Sequence, residues 1–255
     1  MTDKILVFCP MRVTAPRAFG RSVTSVLQLE HDNPVEYMLR DGKTPHDHDH
    51  DNVTAQYNWA RQHVLQNSYT HLLAIEADII APKDTITKLL ACRADIAYGL
   101  YSFRRGKIEW CAHSELKPFY GKSISEDTDL AVKSWGKVVD VVGAGMGCTM
   151  ITREALANLG PFESGGTYPN VVDCDWRMAL KAQQLGLTQR ADLSVICGHI
   201  ALKPSLRIFW PIKDKPFIRI EKLEPDYVEL PDGRRQYVIG GFTKEIAYAD
   251  DQPKE

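Results

Sequence analysis

Apolar and polar positions alternate in blocks along the chain, with short continuous apolar runs separated by stretches at helical spacing. "KILVFCP" (Lys4–Pro10) has the near-unbroken apolar run of a strand buried on both faces, with Pro10 as its predicted end. A helix over Arg21–Leu29 with Ser22 as cap is predicted next, then a strand over Val35–Gly42 closed by an Asp41-Gly42 turn. Asn52 is placed to cap a helix running to Gln66, whose Val53, Tyr57, Ala60 and Val64 share one face. "THLLAIEAD" (Thr70–Asp78) reads as a strand, Ala81–Arg93 as a turn and a helix with Asp84 near its start, and "ADIAYGLYS" (Ala94–Ser102) as a strand. Arg104–Lys137 shows no regular period and is predicted irregular. Val138–Thr152 reads as strand, glycine-rich turn and strand. A short helix closed by Gly160 follows, then a helix over Asp173–Leu185 closed by Gly186, and a strand ending at His199. Beyond Pro204 the pattern turns to β-structure, with a hairpin at Pro231-Asp232-Gly233.

This alternation predicts an α/β fold, with a mainly parallel central sheet flanked by helices. Residues 1–203 are expected to form that domain, and residues 204–255 a C-terminal β-rich appendage packed on it. At 255 residues and 44% hydrophobic content the chain is long enough to bury a sizeable core. A formal net charge of −2 gives no support to broad, non-specific nucleic-acid binding. No run of 18 apolar residues occurs, and the chain opens on a short strand rather than a long apolar leader. The six cysteines contain no Cys-x-x-Cys pair and several fall inside apolar runs, so a reducing, cytoplasmic setting is expected.

Four places carry chemistry. Glu76 and Asp78 flank Ala77 where an apolar strand ends; on one strand, residues two apart share a face, so both carboxylates are expected to converge on a divalent cation. An ordinary polar loop entry produces the same pattern. "GAGMGCT" (Gly143–Thr149) is neither a P-loop nor a dinucleotide fingerprint, but its glycines allow close backbone approach to a ligand, or simply a tight turn. "DCDW" (Asp173–Trp176) places two acids at a helix start, where the dipole favours them and where a general base is also well placed. His199 ends a strand, where a structural hydrogen-bonded role is as natural as metal ligation. The alternating His46–Asp51 run is read as a polar loop, not a metal site, because nothing local fixes its ligand directions.

The order of these pieces resembles the family-2-like glycosyltransferases of the GT-A (Rossmann-like) fold, over roughly Lys4–His199. "LLAIEADIIAPKDTI", "VVGAGMGCTMITREAL" and "DCDWRMALKAQQLGL…VICGH" carry the resemblance. It implies a metal-dependent transfer of sugar from a nucleotide-sugar donor to an acceptor hydroxyl, inverting, with an aspartate base. Glu76-Ala77-Asp78 matches the family's Asp-x-Asp motif with Glu in the first position. The resemblance therefore implies Asp78, His199 and Glu76 as the surroundings of Mn²⁺ or Mg²⁺, with Glu76 on the metal or the donor ribose. Asp173 matches the second residue of the family's Glu-Asp pair, whose first residue is Val172 here; Asp173 and Asp175 both stand as the base. Gly143 and Gly145 belong to the acceptor side, and Pro10, Arg12 and Asp41 to the nucleotide base and ribose.

Two other readings compete. A nucleotidyltransferase shares the sheet and the carboxylates, but "CPMRVTAPRAFG" has glycine only at Gly20, where such enzymes carry a glycine-rich loop. A catalytically silent sugar-nucleotide or glycan-binding module is the other. The acceptor is expected to be a glycan or another hydroxyl-bearing molecule. Lys203–Lys222 holds six basic and two acidic residues, a difference of +4, among Phe209, Trp210 and Phe217. That strip extends the acceptor classes to an anionic polymer, a modified base in DNA among them.

Overall fold

The computed structural model describes residues 2–11, 16–41, 49–104, 108–118, 120–165, 174–201, 207–222, 227–229, 235–239 and 242–245. For residues 11, 16–19, 41, 49–51 and the strands beyond 226, only the backbone is described. In chain order the elements are β1 (Ile5–Met11), α1 (Pro16–Leu27), β2 (Val35–Asp41), α2 (Asp49–Gln66), β3 (His71–Ile75), β4 (Ile79–Ile80), α3 (Thr85–Ala91) and β5 (Ile96–Leu100). Then come β6 (Ala112–Lys117), β7 (Tyr120–Ser123), α4 (Thr128–Ser134), β8 (Val138–Asp140), β9 (Gly143–Ala144), β10 (Cys148–Thr152), α5 (Arg153–Leu159) and α6 (Cys174–Gln184). The chain continues through β11 (Gln189–Ile196), β12 (Gly198–Ala201), β13 (Arg207–Pro211), β14 (Ile218–Lys222), β15 (Tyr227–Glu229), β16 (Arg235–Ile239) and β17 (Phe242–Glu245).

The central sheet has seven strands in the order β2-β1-β3-β10-β5-β11-β8. β2, β1, β3, β5 and β11 run one way, as the expected mainly parallel sheet requires, and β10 and β8 run against them, which makes it a mixed sheet. Successive β1 residues pack on opposite faces. Leu6 and Phe8 meet Tyr57, Ala60 and Val64 of α2, together with residues of α5 and α6, while Ile5 and Val7 share a cluster with Val26 of α1 and Ile86 and Leu89 of α3. Burial on both faces is why this strand lacks polar alternation. The chain goes from β1 outward to β2, then back across β1 to β3. That reversal leaves a crevice beyond the carboxyl ends of β1 and β3, the usual ligand position in such sheets.

Several element boundaries differ from those the sequence predicts. β1 runs through Pro10, because pairing with β3 stops at Phe8 and Pro10 lies beside β2 only, where its missing N–H is tolerated. α1 begins five residues earlier than Arg21, so Ser22 is no cap. It is buried mid-helix, and its hydroxyl donates to Ile79 O at 2.6 Å. α2 absorbs residues 49–52 of the expected polar loop, and the rest of that loop lies outside the described residues. The stretch expected to be irregular contains β6, β7 and α4; β6 pairs with β7 and β9 in a small antiparallel sheet. Its alternation was hidden because the inward residues include His113, buried against the rings of Phe103 and Trp176.

A second sheet runs β14-β13-β12-β4 and spans the expected boundary at residue 203. Phe209, Phe217 and Ile218 belong to the main core, and Trp110 Nε1 donates to Phe217 O at 2.9 Å. These strands are therefore part of the principal body. β15-β16-β17 form a further antiparallel sheet, with β15 and β16 on either side of the expected hairpin turn.

Candidate functional site

Glu76, Ala77 and Asp78 lie on a turn between β3 and β4, closed by Ile79 N–H donating to Glu76 O at 2.9 Å. The same-face argument for one continuous strand therefore does not apply, and the two carboxylates take different partners. α1 supports the turn from below: Ser22 reaches Ile79 O, and Ser25 Oγ accepts from Ala81 N–H at 3.1 Å. From the side, Gly147 O of the glycine turn accepts from Glu76 N–H at 3.0 Å.

Glu76 turns toward α2, where the buried Tyr57 hydroxyl donates to its Oε1 at 2.8 Å. Burial, with the negative charge of Asp78 beside it, pushes the Glu76 carboxyl from 4.5 up to about 7, against the Tyr57 hydrogen bond. Asp78 turns the other way. Its Oδ2 accepts from Arg104 Nη1, which also donates to Ile200 O at 2.7 Å. Its Oδ1 is buried, has no hydrogen-bond partner among the described residues and lies 3.9 Å from His199 Nε2.

His199 arrives through strand pairing. β12 lies antiparallel to β4 with His199 opposite Ile79, and Ile200 N–H donates to Asp78 O at 2.8 Å. Its Nδ1 lies 2.6 Å from Ser102 O, which only accepts, so Nδ1 carries the proton. Nε2 is then the ring nitrogen that faces the Asp78 carboxylate. An oxygen and a nitrogen donor thus face each other across 3.9 Å, with a backbone carbonyl orienting the imidazole. Among the described residues no cluster of three His, Cys, Asp or Glu side chains placed to hold a metal ion occurs. Of the Glu76 carboxyl, Oε1 is the oxygen engaged by Tyr57.

The glycine turn and the start of α6 close the crevice. A Cβ on Gly145 would stand 2.0 Å from Tyr101 Oη and 3.0 Å from Asp175 Oδ2. The requirement is for space: glycine lets the backbone pass between that hydroxyl and the carboxylate. Gly143 is used differently, packing beneath Ala179 of α6. Asp175 is anchored by its neighbour Trp176, whose Nε1 donates to Lys117 O at 3.1 Å and whose ring meets His113. The Asp175 carboxylate lies beside Gly145, and its charge acts on Glu76, Tyr57, Tyr98, Tyr101 and Cys111.

Burial pushes the thiols of Cys9 and Cys111 up to about 12, so neither offers a thiolate there near neutral pH. None of the six cysteines is in a disulfide, and all are buried. Pro10 sits at the crevice edge beside Arg40. Asp41 ends β2 opposite Met11, its side chain outside the described residues, as are the whole of Arg12 and Asp173. Arg104, Tyr57 and Tyr101 are the site residues that sequence reasoning missed. The one legible signal was "FRRG", a basic pair just beyond an apolar strand end.

The basic and aromatic strip does not form a stacking platform. Phe209 and Phe217 are buried in the core, and Trp210 lies across Gly198 with its Nε1 donating to Glu221 at 2.9 Å. A cavity of about 280 Å³ lined by His71, Arg93, Asp95, Thr152 and Thr188 lies at the amino ends of β3, β5 and β11, the opposite end of the central strands from Asp78. No helix among the described residues is long and apolar enough to cross a membrane.

No known protein family's sequence profile matches the chain, and neither does any curated protein. Among solved structures, the crystal structure of A197 from STIV is similar, with a TM-score of 0.53, 16% sequence identity, and 87% of this chain and 94% of that chain covered. At that identity the likeness speaks for the α/β fold alone.

Proposed function

We propose that the chain is a metal-dependent glycosyltransferase of GT-A type, moving a sugar from a nucleotide-sugar donor to an acceptor hydroxyl. The observation that carries this reading is the meeting of Asp78 Oδ1 and His199 Nε2 beside Glu76 and Asp175, from three distant segments, at the switch-point crevice. A divalent ion, Mn²⁺ or Mg²⁺, would offset the charge that develops on the leaving diphosphate. Asp78 and His199 would hold it. Glu76, hydrogen-bonded by Tyr57, would bond a hydroxyl of the donor's ribose. Asp175 would take the proton of an acceptor hydroxyl seated over Gly145, which suits inversion; Asp173, two residues earlier, is the other carboxylate able to do so. Pro10, Arg12 and Asp41 would border the nucleotide.

The test is a panel of nucleotide sugars with and without Mn²⁺, scored for thermal stabilisation and slow donor hydrolysis. Ligand that binds the native state raises the melting temperature. At least one donor should do so only with metal, and Asp78→Asn should abolish the effect. If no donor shifts the melting temperature with metal or without, the reading fails.

A further inference from the structure

Asp78 already holds a cation supplied by the chain. Arg104 lies on the segment leaving β5, whose backbone is pinned by Phe103 N–H to Glu109 O at 2.9 Å and Cys111 N–H to Tyr101 O at 2.8 Å. From this fixed base its guanidinium bridges Asp78 Oδ2 and the carbonyl of Ile200, the neighbour of His199. The Arg104 and Asp78 side chains are 29% and 19% exposed, so the pair is reachable from solvent.

We propose that Arg104 is a latch on the diphosphate site: it neutralises Asp78 when the crevice is empty and transfers its guanidinium to the donor diphosphate on binding. This rests on the glycosyltransferase reading above. The argument is one of charge. Asp78 and Arg104 together are neutral. A divalent ion placed on Oδ1 would stand one carboxylate away from a guanidinium, a like-charge contact that disfavours both. An arriving diphosphate reverses this by bringing negative charge for both cations. The planar fork of Arg suits two phosphate oxygens at once. The metal alone is therefore held weakly, and metal and diphosphate favour each other. Arg104 acts as a positioning residue until the diphosphate reaches it.

The test uses the full chain and two probes. Free Mn²⁺ is titrated by electron paramagnetic resonance, and preformed manganese pyrophosphate by calorimetry. Arg104→Gln should bind Mn²⁺ alone about tenfold more tightly than the wild type and manganese pyrophosphate about tenfold more weakly, since a charge-assisted bond is exchanged in each case. A merely structural role would weaken both, and that result, or unchanged Mn²⁺ affinity, overturns the latch. Arg104→Lys keeps the charge and loses the fork. It should match the wild type for Mn²⁺ and bind manganese pyrophosphate more weakly, and it stands in if Arg104→Gln does not fold. Wild-type affinity of Arg104→Lys for manganese pyrophosphate overturns the latch. If the wild type binds neither Mn²⁺ nor manganese pyrophosphate, the metal site and the latch fall together; if it binds manganese pyrophosphate and Arg104→Gln is indistinguishable from it with both probes, only the latch falls.

Discussion

Replacing Glu76 by glutamine should stabilise the protein above neutral pH and leave it unchanged in acid. Glutamine keeps an oxygen to accept from the Tyr57 hydroxyl and removes the ionisable proton. In the folded chain the Glu76 carboxyl is raised from 4.5 to about 7, chiefly by burial. Between these two values the folded state binds a proton that the unfolded state has released, so stability falls as pH rises through the window. At about 1.4 kcal/mol per pH unit, the gap between 4.5 and about 7 amounts to about 3 kcal/mol lost by pH 8. Below pH 4.5 both states are protonated and the cost vanishes. The assay is urea unfolding of wild type and Glu76→Gln from pH 4 to pH 8, with chelator present so that adventitious metal is removed. The difference between the two curves reports Glu76 together with the groups its charge acts on, Asp78 foremost. It should be near zero at pH 4 and grow to about 3 kcal/mol in favour of glutamine at pH 8. Parallel curves, or a glutamine variant weaker at pH 8, would refute the claim that Glu76 sits as an enclosed, charge-crowded acid.

Gly145→Ala places a methyl 2.0 Å from Tyr101 Oη and should cost about 1–3 kcal/mol in urea unfolding; adding Tyr101→Phe should recover part of it, and additive costs would refute the contact. Arg153 donates from one guanidinium to the carbonyls of Val64, Leu65, Asn67 and Tyr69 around the end of α2, so Arg153→Ala should cost about 2–4 kcal/mol and Arg153→Lys only somewhat less, read from the same unfolding curves. Asp175→Asn should leave donor-induced thermal stabilisation intact and depress turnover by about a hundredfold or more, in assays with donor and metal. Lost donor binding would instead make Asp175 part of the donor pocket.

The sequence by itself determined most of the strands and helices, because each is written in a local period. The buried run Ile5–Cys9, the Tyr57–Val64 face of α2, and the glycine closures at Gly160 and Gly186, both at positive φ, depend on neighbours within a turn or two. It also pointed to Glu76, Asp78 and His199, since acids and a histidine at apolar strand ends are conspicuous. Local pattern did not determine which of them lie together; only the resemblance grouped them. Glu76 and Asp78 diverge because the chain turns at Ala77 instead of continuing as a strand, and a turn of three residues leaves little periodic trace. Asp78 meets His199 only because β4 pairs with β12 across more than a hundred residues. Arg104 joins them from a polar stretch with no period at all. The reversed direction of β10 and the merging of β13 and β14 into the main core were equally hidden. Hydrophobic pattern says that a segment is buried; its partner and direction are settled only when all the faces are packed together.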